Sequence, residues 1–271
     1  MSKLFDLSGK HALLTGGSGA LGTAMARGLL QSGAKVALLS RNPDNLKSAA
    51  EALGGDAGAV TLVRGDVTDV ASLTAARDEL TAQWGRLDIL VNAAGGNRPG
   101  ATIGPEQTFF DLQIEDFAGV SKLNLDGTVI PSMVFGKLIV DGGGGSIVNI
   151  SSMAADRAIT RVVGYSAAKA GIDNFTKWLA VEMARKYKGS VRVNAIAPGF
   201  FIGEQNRRLL LEEDGSLTSR GQTIIKSTPM DRFGKAEELI STLVWLCADA
   251  SSFVTGIVVP VDGGFSAFSG V

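Results

Sequence analysis

Short apolar segments recur along the chain, and between them lie longer stretches in which apolar residues have helical spacing. Seven of the short segments are rich in leucine and β-branched residues and are continuous rather than alternating, which is typical of strands covered on both faces. These predicted strands are 11–15, 35–40, 60–65, 87–92, 146–151, 191–197 and 257–261. Because helical stretches such as 20–32 and 69–84 alternate with them, the pattern predicts an α/β fold with a doubly wound parallel sheet of about seven strands flanked by helices.

The alternation is interrupted at about 200–230. The segment FFIGEQNRRLLLEEDGSLTSRGQTIIKSTP is long and mixed in character, which is more typical of an insertion that covers a site than of a sheet connection. No shift in composition marks a second domain, and 271 residues are enough for one large domain. We therefore predict a single domain over 1–271 that carries a substrate-loop insertion.

The charge balance argues against several classes of partner. The chain has 26 basic and 27 acidic residues, a net charge of −1, and no long block of either sign. Nucleic acids and membrane surfaces are usually bound by a basic face, so we expect neither as a partner.

No apolar run approaches the ~18 residues that span a bilayer. The first residues, MSKLFDLSGK, lack the apolar core of a signal peptide, so we expect a cytoplasmic protein.

Cysteine and histidine each occur once. Cys247 lies in the apolar helical pattern LVWLCADA and is interpreted as a core residue. His11 begins a predicted strand, which is the wrong end for a catalytic group. A disulfide within the chain, thiolate metal sites and multi-histidine metal sites are therefore excluded, as are most hydrolase mechanisms. We expect no metal.

A glycine-rich segment, TGGSGALG at 15–22, follows the first predicted strand and precedes a helix. Gly17, Gly19 and Gly22 spell G-x-G-x-x-G, a pattern that a plain tight turn also produces. Between a strand and a helix, such a loop lets backbone N–H groups and the positive end of the helix bind a pyrophosphate. We therefore predict a dinucleotide site.

The end of the second strand bears on which dinucleotide binds. It reads LLSRN, with Ser40 and Arg41 and no carboxylate before Asp44. A carboxylate at this place would bind the ribose hydroxyls, whereas a guanidinium can pair with a 2′-phosphate. The sequence therefore favours NADP over NAD. The alternative is that Arg41 is an ordinary exposed side chain.

Three further segments are predicted to lie near the same dinucleotide. GYSAAKAG places Tyr165 and Lys169 four residues apart, on one face of a helix. NISSM ends the fifth predicted strand, and NAAG at 92–95 ends the fourth. Because ligands of open α/β sheets bind at the carboxyl ends of the strands, these segments should meet beside the glycine loop. The alternative is that Tyr165 and Lys169 form a surface pair.

Taken in order, these motifs resemble the short-chain dehydrogenase/reductase family over the whole chain, from TGGSGALG through NAAG, NISS, YSAAK and NAIAPG to VDGG. The resemblance implies a Rossmann-type fold, a homotetramer, and a catalytic tetrad of Asn124, Ser152, Tyr165 and Lys169. Ser152 is chosen over Ser151 because its thirteen-residue interval to the tyrosine matches the family pattern. The implied cofactor positions are Gly16, Gly17, Ser18, Gly19, Leu21, Gly22, Ser40, Arg41, Asp66, Val67, Asn92, Ala93, Gly95, Tyr165, Lys169, Pro198 and Gly199.

Two positions depart from the family pattern. Ala20 stands where the commonest glycine loop has a glycine, and Gly203 stands where a threonine often holds the nicotinamide amide. The first departure puts the detailed contacts of the loop in doubt. The second requires a backbone group or a neighbouring side chain to hold the amide.

The physical chemistry of the tetrad can be stated independently. A free tyrosine has a pKa near ~10, too high for efficient proton exchange at neutral pH. We expect the ammonium of Lys169, together with a positively charged oxidised nicotinamide, to lower the pKa of Tyr165. Tyr165 would then exchange a proton with the substrate oxygen, and Ser152 would hydrogen-bond the same oxygen. Asn124 would hold a water that links Lys169 to solvent.

Within the family, the chain resembles the D-mannonate oxidoreductase (fructuronate reductase) branch, on segments such as AAGGNRP, NISSMAA, NAIAPGFF and TPMDRFGK. This resemblance implies a small sugar-acid substrate, D-fructuronate or D-mannonate. Candidate substrate residues, each of which also suits an ordinary surface, are Asn97, Arg98, Ser152, Arg157, Arg161, Gln205, Asn206 and Arg207. The alternatives are another sugar-acid or polyol dehydrogenase of gluconate or 2-deoxygluconate type, a 3-oxoacyl carrier-protein reductase, and a non-catalytic NADP-sensing module.

Overall fold

The structure is a computed structural model that describes residues 3–54, 60–203 and 206–270. Its centre is a parallel sheet of seven strands in the order β3-β2-β1-β4-β5-β6-β7. The strands are β1 His11–Thr15, β2 Lys35–Ser40, β3 Val60–Arg64, β4 Ile89–Asn92, β5 Gly145–Ile150, β6 Val191–Pro198 and β7 Val258–Val261. Their bounds agree with the sequence-based prediction to within two residues at either end. The predicted α/β fold class is confirmed.

Helices cover both faces of the sheet. They are α1 Ala20–Gln31, α2 Pro43–Ala52, α3 Val70–Trp84, α4 Ile114–Ser121, α5 Gly127–Asp141, α6 Val163–Lys186, α7 Arg207–Leu210, α8 Ser219–Lys226 and α9 Ile240–Cys247. One core packs α1, α2 and α9 against the sheet, and the other packs α3, α5 and α6 against the opposite face. Both faces of each central strand are therefore buried, which explains their continuous apolar sequences.

Strand order reverses between β1 and β4, and the loops after these two strands touch. Gly16 has a φ of +67°, and a Cβ added to it would lie 2.7 Å from the Cα atom of Ala94. Only glycine combines that left-handed conformation with such a close approach. The hydroxyl of Thr15 accepts a hydrogen bond from the N–H of Ala93 at 3.1 Å. These contacts place the glycine loop beside NAAG, at the crevice where open α/β sheets bind ligands.

Several other sequence features lie at the amino edge of the sheet, away from this crevice. His11 is the first residue of β1, and its ring stacks near Trp84 with centroids 5.0 Å apart. The glycine run at 142–145 joins α5 to β5, and Gly143 and Gly144 have positive φ values, as a turn requires. Cys247 is 5% exposed at the end of α9, which confirms its interpretation as a core residue.

Helices α4 and α5 join through a π-helical segment, Lys122–Asp126, into one helical run. By length and composition alone this run, Ile114–Asp141, is apolar enough to cross a membrane. Half of its most apolar part is buried inside the protein, where α5 packs against β4, β5 and α3. Charged residues interrupt the run, so it contains no long uninterrupted apolar stretch.

The segment after β6 folds back over the carboxyl edge of the sheet. Phe201 forms an isolated parallel bridge with Gly234, and Leu211 forms an antiparallel bridge with Leu217. Between these bridges lie the two short helices α7 and α8. The departure from strand–helix alternation near residue 200 therefore corresponds to a local substructure, and its expected role as a cover for substrate stays a prediction.

Candidate active site

Helix α6 carries a buried ammonium to the carboxyl end of β5. Lys169 is 4% exposed, and its Nζ donates a hydrogen bond to the carbonyl of Ile150 at 2.7 Å. The same nitrogen lies 5.4 Å from the centroid of the Tyr165 ring. Burial lowers the pKa of Lys169 to about 8, although the charge of Asp173 acts to raise it. The lysine therefore stays mostly protonated at neutral pH but loses its proton at a lower pH than a free lysine does.

Tyr165 lies one helical turn before Lys169, and its hydroxyl is in hydrogen-bonding contact with Ser152. Ser152 also accepts a hydrogen bond from the N–H of Ala154 at 3.1 Å, which fixes the turn after β5. Burial raises the pKa of Tyr165, and the contact with Ser152 acts in the opposite direction. The expected lowering of this pKa is thus not produced by the protein's own groups, because burial outweighs them. The contribution of a positively charged cofactor stays a prediction.

Asn124 is fully buried within the π-helical segment between α4 and α5. Its Nδ2 donates to the carbonyls of Gly96 and Val120 at 2.7 and 2.8 Å, and its Oδ1 accepts from the N–H of Gly96 at 3.2 Å. The side chain therefore fastens the loop after β4 to the helix. Its expected role of holding a water that reaches Lys169 stays a prediction.

Gly95 brings this loop next to the lysine. A Cβ added to Gly95 would lie 2.6 Å from Oδ1 of Asn124 and 3.4 Å from Nζ of Lys169. Any side chain here would press on Asn124 and fill the space over the ammonium. The glycine keeps that space open, and the four predicted tetrad residues and the loop after β4 converge on it.

The glycine loop is tightly packed against itself. A Cβ on Gly22 would lie 2.4 Å from the carbonyl oxygen of Gly16, and one on Gly17 would lie 2.7 Å from Cδ2 of Leu38. Gly19 differs, since its φ is −80° and the nearest atom to an added Cβ is 3.6 Å away. Glycine at position 19 is therefore not required by the fold of the chain itself. It leaves the exposed side of the loop open, next to the first N–H groups of α1.

The chain's candidates for the adenosine end of a dinucleotide lie at the ends of β2 and β3. The hydroxyls of Ser18 and Ser40 are 3.5 Å apart. A guanidinium nitrogen of Arg41, a side chain that is 68% exposed, lies 3.7 Å from a carboxylate oxygen of Asp66. Burial acts to raise the pKa of Asp66, but hydrogen bonds from Thr68 and the charge of Arg41 lower it overall. Val67, the neighbouring candidate, is buried at 6% exposure.

Two of the predicted cofactor positions are mainly structural. The Nδ2 of Asn92 donates to Ser132 and to Asn149, both at 2.9 Å, so this side chain points into the interior. Gly199 follows the last residue of β6, Pro198, and a Cβ on it would lie 2.7 Å from the Cα atom of Asp262. The side chain of Asn92 is used inside the protein and Gly199 has none, so the backbone is the part of each residue that can face a ligand.

The residues that support the site from below were missed by the sequence analysis. Asn149 and Thr176 are fully buried, and the Nδ2 of Asn149 donates to the Thr176 hydroxyl at 2.9 Å. Together with Asn92 and Ser132 they link β4, β5, α5 and α6. The signal was a single asparagine in the otherwise apolar strand SIVNI, because a buried amide needs polar partners.

Asp173 was also missed, although it follows Lys169 at helical spacing. Burial raises the pKa of Asp173, and the neighbouring Ser151, Lys177 and Lys169 act in the opposite direction. Its charge in turn favours the protonated form of Lys169. Asp173 therefore stabilises the charged form of Lys169, and the four-residue interval that pairs Lys169 with Tyr165 could have indicated it.

The predicted substrate residues near β4 make contacts within the protein. The Nδ2 of Asn97 donates to the Thr102 hydroxyl at 2.9 Å. Arg98 lies over α4, 3.8 Å from a carboxylate oxygen of Asp116. Both side chains hold the loop after β4 and are not brought together with Tyr165 by any contact that the structure describes.

The candidates after β5 and β6 are dispersed in the same way. Arg157 pairs with Asp156 at 3.4 Å and donates to the carbonyl of Ser266. Asn206 donates to the Phe201 carbonyl and accepts from the Gly203 N–H, both at 2.8 Å, so it closes a turn. Arg207 is exposed at the start of α7. Gln205 lies outside the described residues.

Together, these groups fit a nicotinamide dinucleotide. The open glycine loop and the helix end behind it can receive a pyrophosphate. Ser40, Arg41 and Asp66 lie at the end suited to a ribose with or without a 2′-phosphate, while Lys169, Tyr165 and the space over Gly95 lie at the other. No group of three or more potential metal ligands is found within 3–54, 60–203 and 206–270.

Comparisons with known proteins agree with this arrangement. A family model described as enoyl-(acyl carrier protein) reductase matches residues 17–266. The uncharacterized oxidoreductase UxuB of Bacillus subtilis (strain 168) is 46% identical over 275 residues, which cover 98% of each chain. A solved structure from Haemophilus influenzae with bound NAD, proposed to be a D-mannonate oxidoreductase, has a TM-score of 0.91 and 39% identity and covers 98% of both chains. A gluconate 5-dehydrogenase of Burkholderia cenocepacia in complex with NADP and tartrate has a TM-score of 0.87 and 31% identity, with 98% of both chains covered.

The buried ammonium predicts a distinctive dependence of stability on pH. Between the folded pKa of Lys169, about 8, and its ordinary value of 10.5, the unfolded chain binds a proton that the folded chain does not. The free energy of unfolding should therefore rise with pH across this window, by on the order of 3 kcal/mol. In Lys169→Met this rise should be missing. Urea unfolding at several pH values from 7.5 to 10.5 measures it.

Lys177→Met, which removes an exposed lysine from the same helix, is the matched control and should keep the rise. Parallel stability curves for the wild type and Lys169→Met would show that the ammonium is not held out of water as described.

Proposed function

We propose that this chain, which belongs to the short-chain dehydrogenase/reductase family, interconverts D-fructuronate and D-mannonate. It is a nicotinamide-dependent oxidoreductase that acts on CH–OH groups. The observation that carries the proposal is the convergence of Tyr165, Ser152 and Lys169 beside the glycine loop. The choice of substrate is supported by the resemblance to the Haemophilus influenzae structure.

Each residue of the site has a defined task in this reaction. Tyr165 donates its phenolic proton to the ketone oxygen during reduction and takes it back from the alcohol during oxidation. Ser152, in contact with the phenol, hydrogen-bonds the same oxygen and fixes its position. Lys169, fastened to Ile150, places a positive charge near the phenol and favours its ionised form. When bound, the nicotinamide supplies or accepts the hydride, so ketone, hydride and proton together give the secondary alcohol.

A hydroxy-acid substrate is supported by two further observations. The related gluconate 5-dehydrogenase holds tartrate, a hydroxy acid, together with its cofactor. Arg157 and Arg161 lie in the loop after β5, and Arg207 and Arg220 lie in the segment after β6, so both segments carry positive charge. A gluconate-type dehydrogenase is therefore the second candidate. It would act on the same hydroxyl, at carbon 5, of a sugar acid with the opposite configuration at carbon 2.

The other two alternatives have less support. A 3-oxoacyl carrier-protein reductase needs a basic docking face for an acidic carrier, and the chain's charge of −1 gives no excess of basic residues from which to build one. A non-catalytic NADP-sensing module has no use for a tyrosine and serine in hydrogen-bonding contact next to a buried lysine. Both alternatives predict that no hexuronate is turned over.

We propose NADP as the preferred cofactor and the cytoplasm, which supplies it, as the place of action. The guanidinium of Arg41 already faces a carboxylate, Asp66, at 3.7 Å, and most of its side chain is exposed. Such an exposed pair is weak. A 2′-phosphate carries more charge and offers bidentate geometry, so it competes well for this guanidinium.

We also propose a homotetramer. Large apolar side chains lie exposed on two helices that cover the same face of the sheet, at 61% for Trp178 and 58% for Val181 on α6, and at 59% for Met133 on α5. Covering apolar surface contributes about 25 cal/mol per Å². A second copy of the chain is the partner that a symmetric interface would bring here.

The reaction proposal predicts that D-fructuronate oxidises the reduced cofactor, measured by the loss of its absorbance, whereas 5-ketogluconate and a 3-oxoacyl thioester react more slowly. Tyr165→Phe should lower kcat by about 10²- to 10⁴-fold while leaving cofactor binding intact. Tyr187→Phe, a change of the other tyrosine in the chain, is the matched control. Unaltered turnover in Tyr165→Phe would overturn the mechanism, and faster turnover of 5-ketogluconate would overturn the substrate.

The cofactor proposal predicts that Arg41→Ala lowers kcat/KM for NADPH by about 10- to 100-fold, the value of a charge-assisted hydrogen bond. The value for NADH should change by less than about 3-fold, because no phosphate contact is lost. Lys47→Ala removes an exposed positive charge from α2 and should change neither. Equal losses with both cofactors would contradict a phosphate contact.

The assembly proposal predicts that sedimentation of the wild-type protein gives a mass four times that of one chain. Replacing Trp178 and Val181 together by Glu should shift the population to smaller species, since burying two charges at an apolar contact is unfavourable. Phe110→Glu, at a side chain that is 92% exposed outside α5 and α6, should leave the mass unchanged. A monomeric wild type would exclude the homotetramer.

A further inference from the structure

A cavity of about 330 Å³ lies between the loop after β5 and helix α8. Phe200 and Phe265 line it from one side, with ring centroids 5.2 Å apart. Its remaining lining combines the apolar side chain of Ile224 with hydroxyl groups such as those of Thr160 and Thr223. A cavity with apolar walls and several hydroxyls suits a small polar molecule.

Arg220 is the charged residue in this lining. It is half-buried on α8, and its two terminal nitrogens donate to Thr160, to the hydroxyl at 3.1 Å and to the carbonyl at 3.4 Å. A guanidinium has five N–H donors. Because two are used on Thr160, the rest of the planar group is held in place with donors left for a ligand.

A second guanidinium adds to the positive charge of Arg220. Burial lowers the pKa of Arg220, and the charge of Arg161 lowers it further. Arg161 has a φ of 77°, a left-handed conformation that is uncommon outside glycine. Its carbonyl accepts a hydrogen bond from the N–H of Ile103 at 3.0 Å, which holds the backbone in that conformation.

Neither arginine forms an ion pair with the carboxylates that the structure describes, since no described acid lies within 4.0 Å of either guanidinium. Arg98 and Arg157, in contrast, each have an aspartate partner. Two like charges brought together without a counter-charge favour an anion. An anionic ligand can supply the negative charge that these two arginines lack.

The cavity adjoins the proposed reaction site along the chain. Arg161 lies one residue beyond Thr160 and four residues before Tyr165, and the loop that lines the cavity includes Ser152. Phe200, on the opposite wall, follows the end of β6 by two residues. Tyr165 does not itself line the cavity, so occupying both places requires a substrate long enough to have its ketone beside Tyr165 and its other end in the cavity.

We propose that this cavity receives the carboxylate end of the substrate and that Arg220, aided by Arg161, selects for an anionic substrate. The inference rests on the proposed function for the identity of the sugar acid. Arg220 was not among the sequence-based candidates. It lies 60 residues from Thr160 in the chain, so sequence spacing gave no sign of the contact.

The test compares D-fructuronate with D-fructose, the neutral ketose that has CH₂OH in place of the carboxylate. Arg220→Met should lower kcat/KM for D-fructuronate by about 10- to 100-fold, mainly through KM, because a charge-assisted contact remote from the ketone is lost. The value for D-fructose and the binding of the reduced cofactor should stay within about 2-fold, since they use no carboxylate contact.

Two further variants sharpen the comparison. Arg220→Lys keeps the charge but loses the planar fork, so its loss on D-fructuronate should be smaller than that of Arg220→Met. Lys226→Met removes an exposed charge from the same helix and should not alter the preference for the anion. A loss in Arg220→Met that is equal for D-fructuronate and D-fructose would overturn the proposal.

A binding measurement tests the anion site separately from the proposed reaction. Calorimetry with D-mannonate, D-gluconate and tartrate should show carboxylate binding to the wild type that Arg220→Met weakens, while D-mannitol does not bind either protein. If no hexuronate is turned over but Arg220→Met still weakens carboxylate binding, the substrate assignment is overturned and the anion site is supported. If no carboxylate binds the wild type, or if Arg220→Met binds carboxylates equally well, the anion site is overturned.

Discussion

The ammonium of Lys169 donates a buried hydrogen bond to the carbonyl of Ile150 and so ties α6 to the carboxyl end of β5. Ile150 precedes Ser152 by two residues, and Lys169 follows Tyr165 by one helical turn. The bond thus fixes the two halves of the candidate site relative to each other. Removal from water opposes the charge of the lysine and brings its pKa to about 8. This hydrogen bond therefore joins α6 to β5 and holds the titratable ammonium of Lys169 at the candidate site.

Beneath this contact lies a polar network that is unusual for the interior of a parallel sheet. Asn92 and Asn149 stand on adjacent central strands, both fully buried, and each amide meets polar groups from the helices. A buried amide without partners is costly, so these residues admit few alternative packings. The loops that carry Gly95 and Ser152 begin at the ends of these two strands. Their positions are therefore set by a rigid layer below them.

The fold and the arrangement of Tyr165 and Lys169 were predictable because both depend on local periodicity. Continuous apolar segments identify buried strands, and a four-residue interval on a helix fixes which side chains share a face. Asp173 obeys the same interval and could have been found from it. Contacts between distant segments, such as that of Arg220 with Thr160, have no such signature. Burial raises the pKa of Tyr165, which the sequence could not indicate because the burial of a side chain depends on what the rest of the chain packs around it. The lowering expected from a bound oxidised nicotinamide stays a prediction.

The chain is almost neutral overall, yet its positive groups are not evenly placed. Arg41 stands at one end of the carboxyl edge of the sheet, and Arg161 and Arg220 stand towards the other, with the ammonium of Lys169 between them. The parallel topology adds the positive end of α1 to the same edge. A dinucleotide is an anion, and this chain, although nearly neutral overall, places several positive groups along the edge of the sheet where a dinucleotide would bind. The direction in which the strands run therefore contributes, through the helix N-termini, to the positive character of this edge.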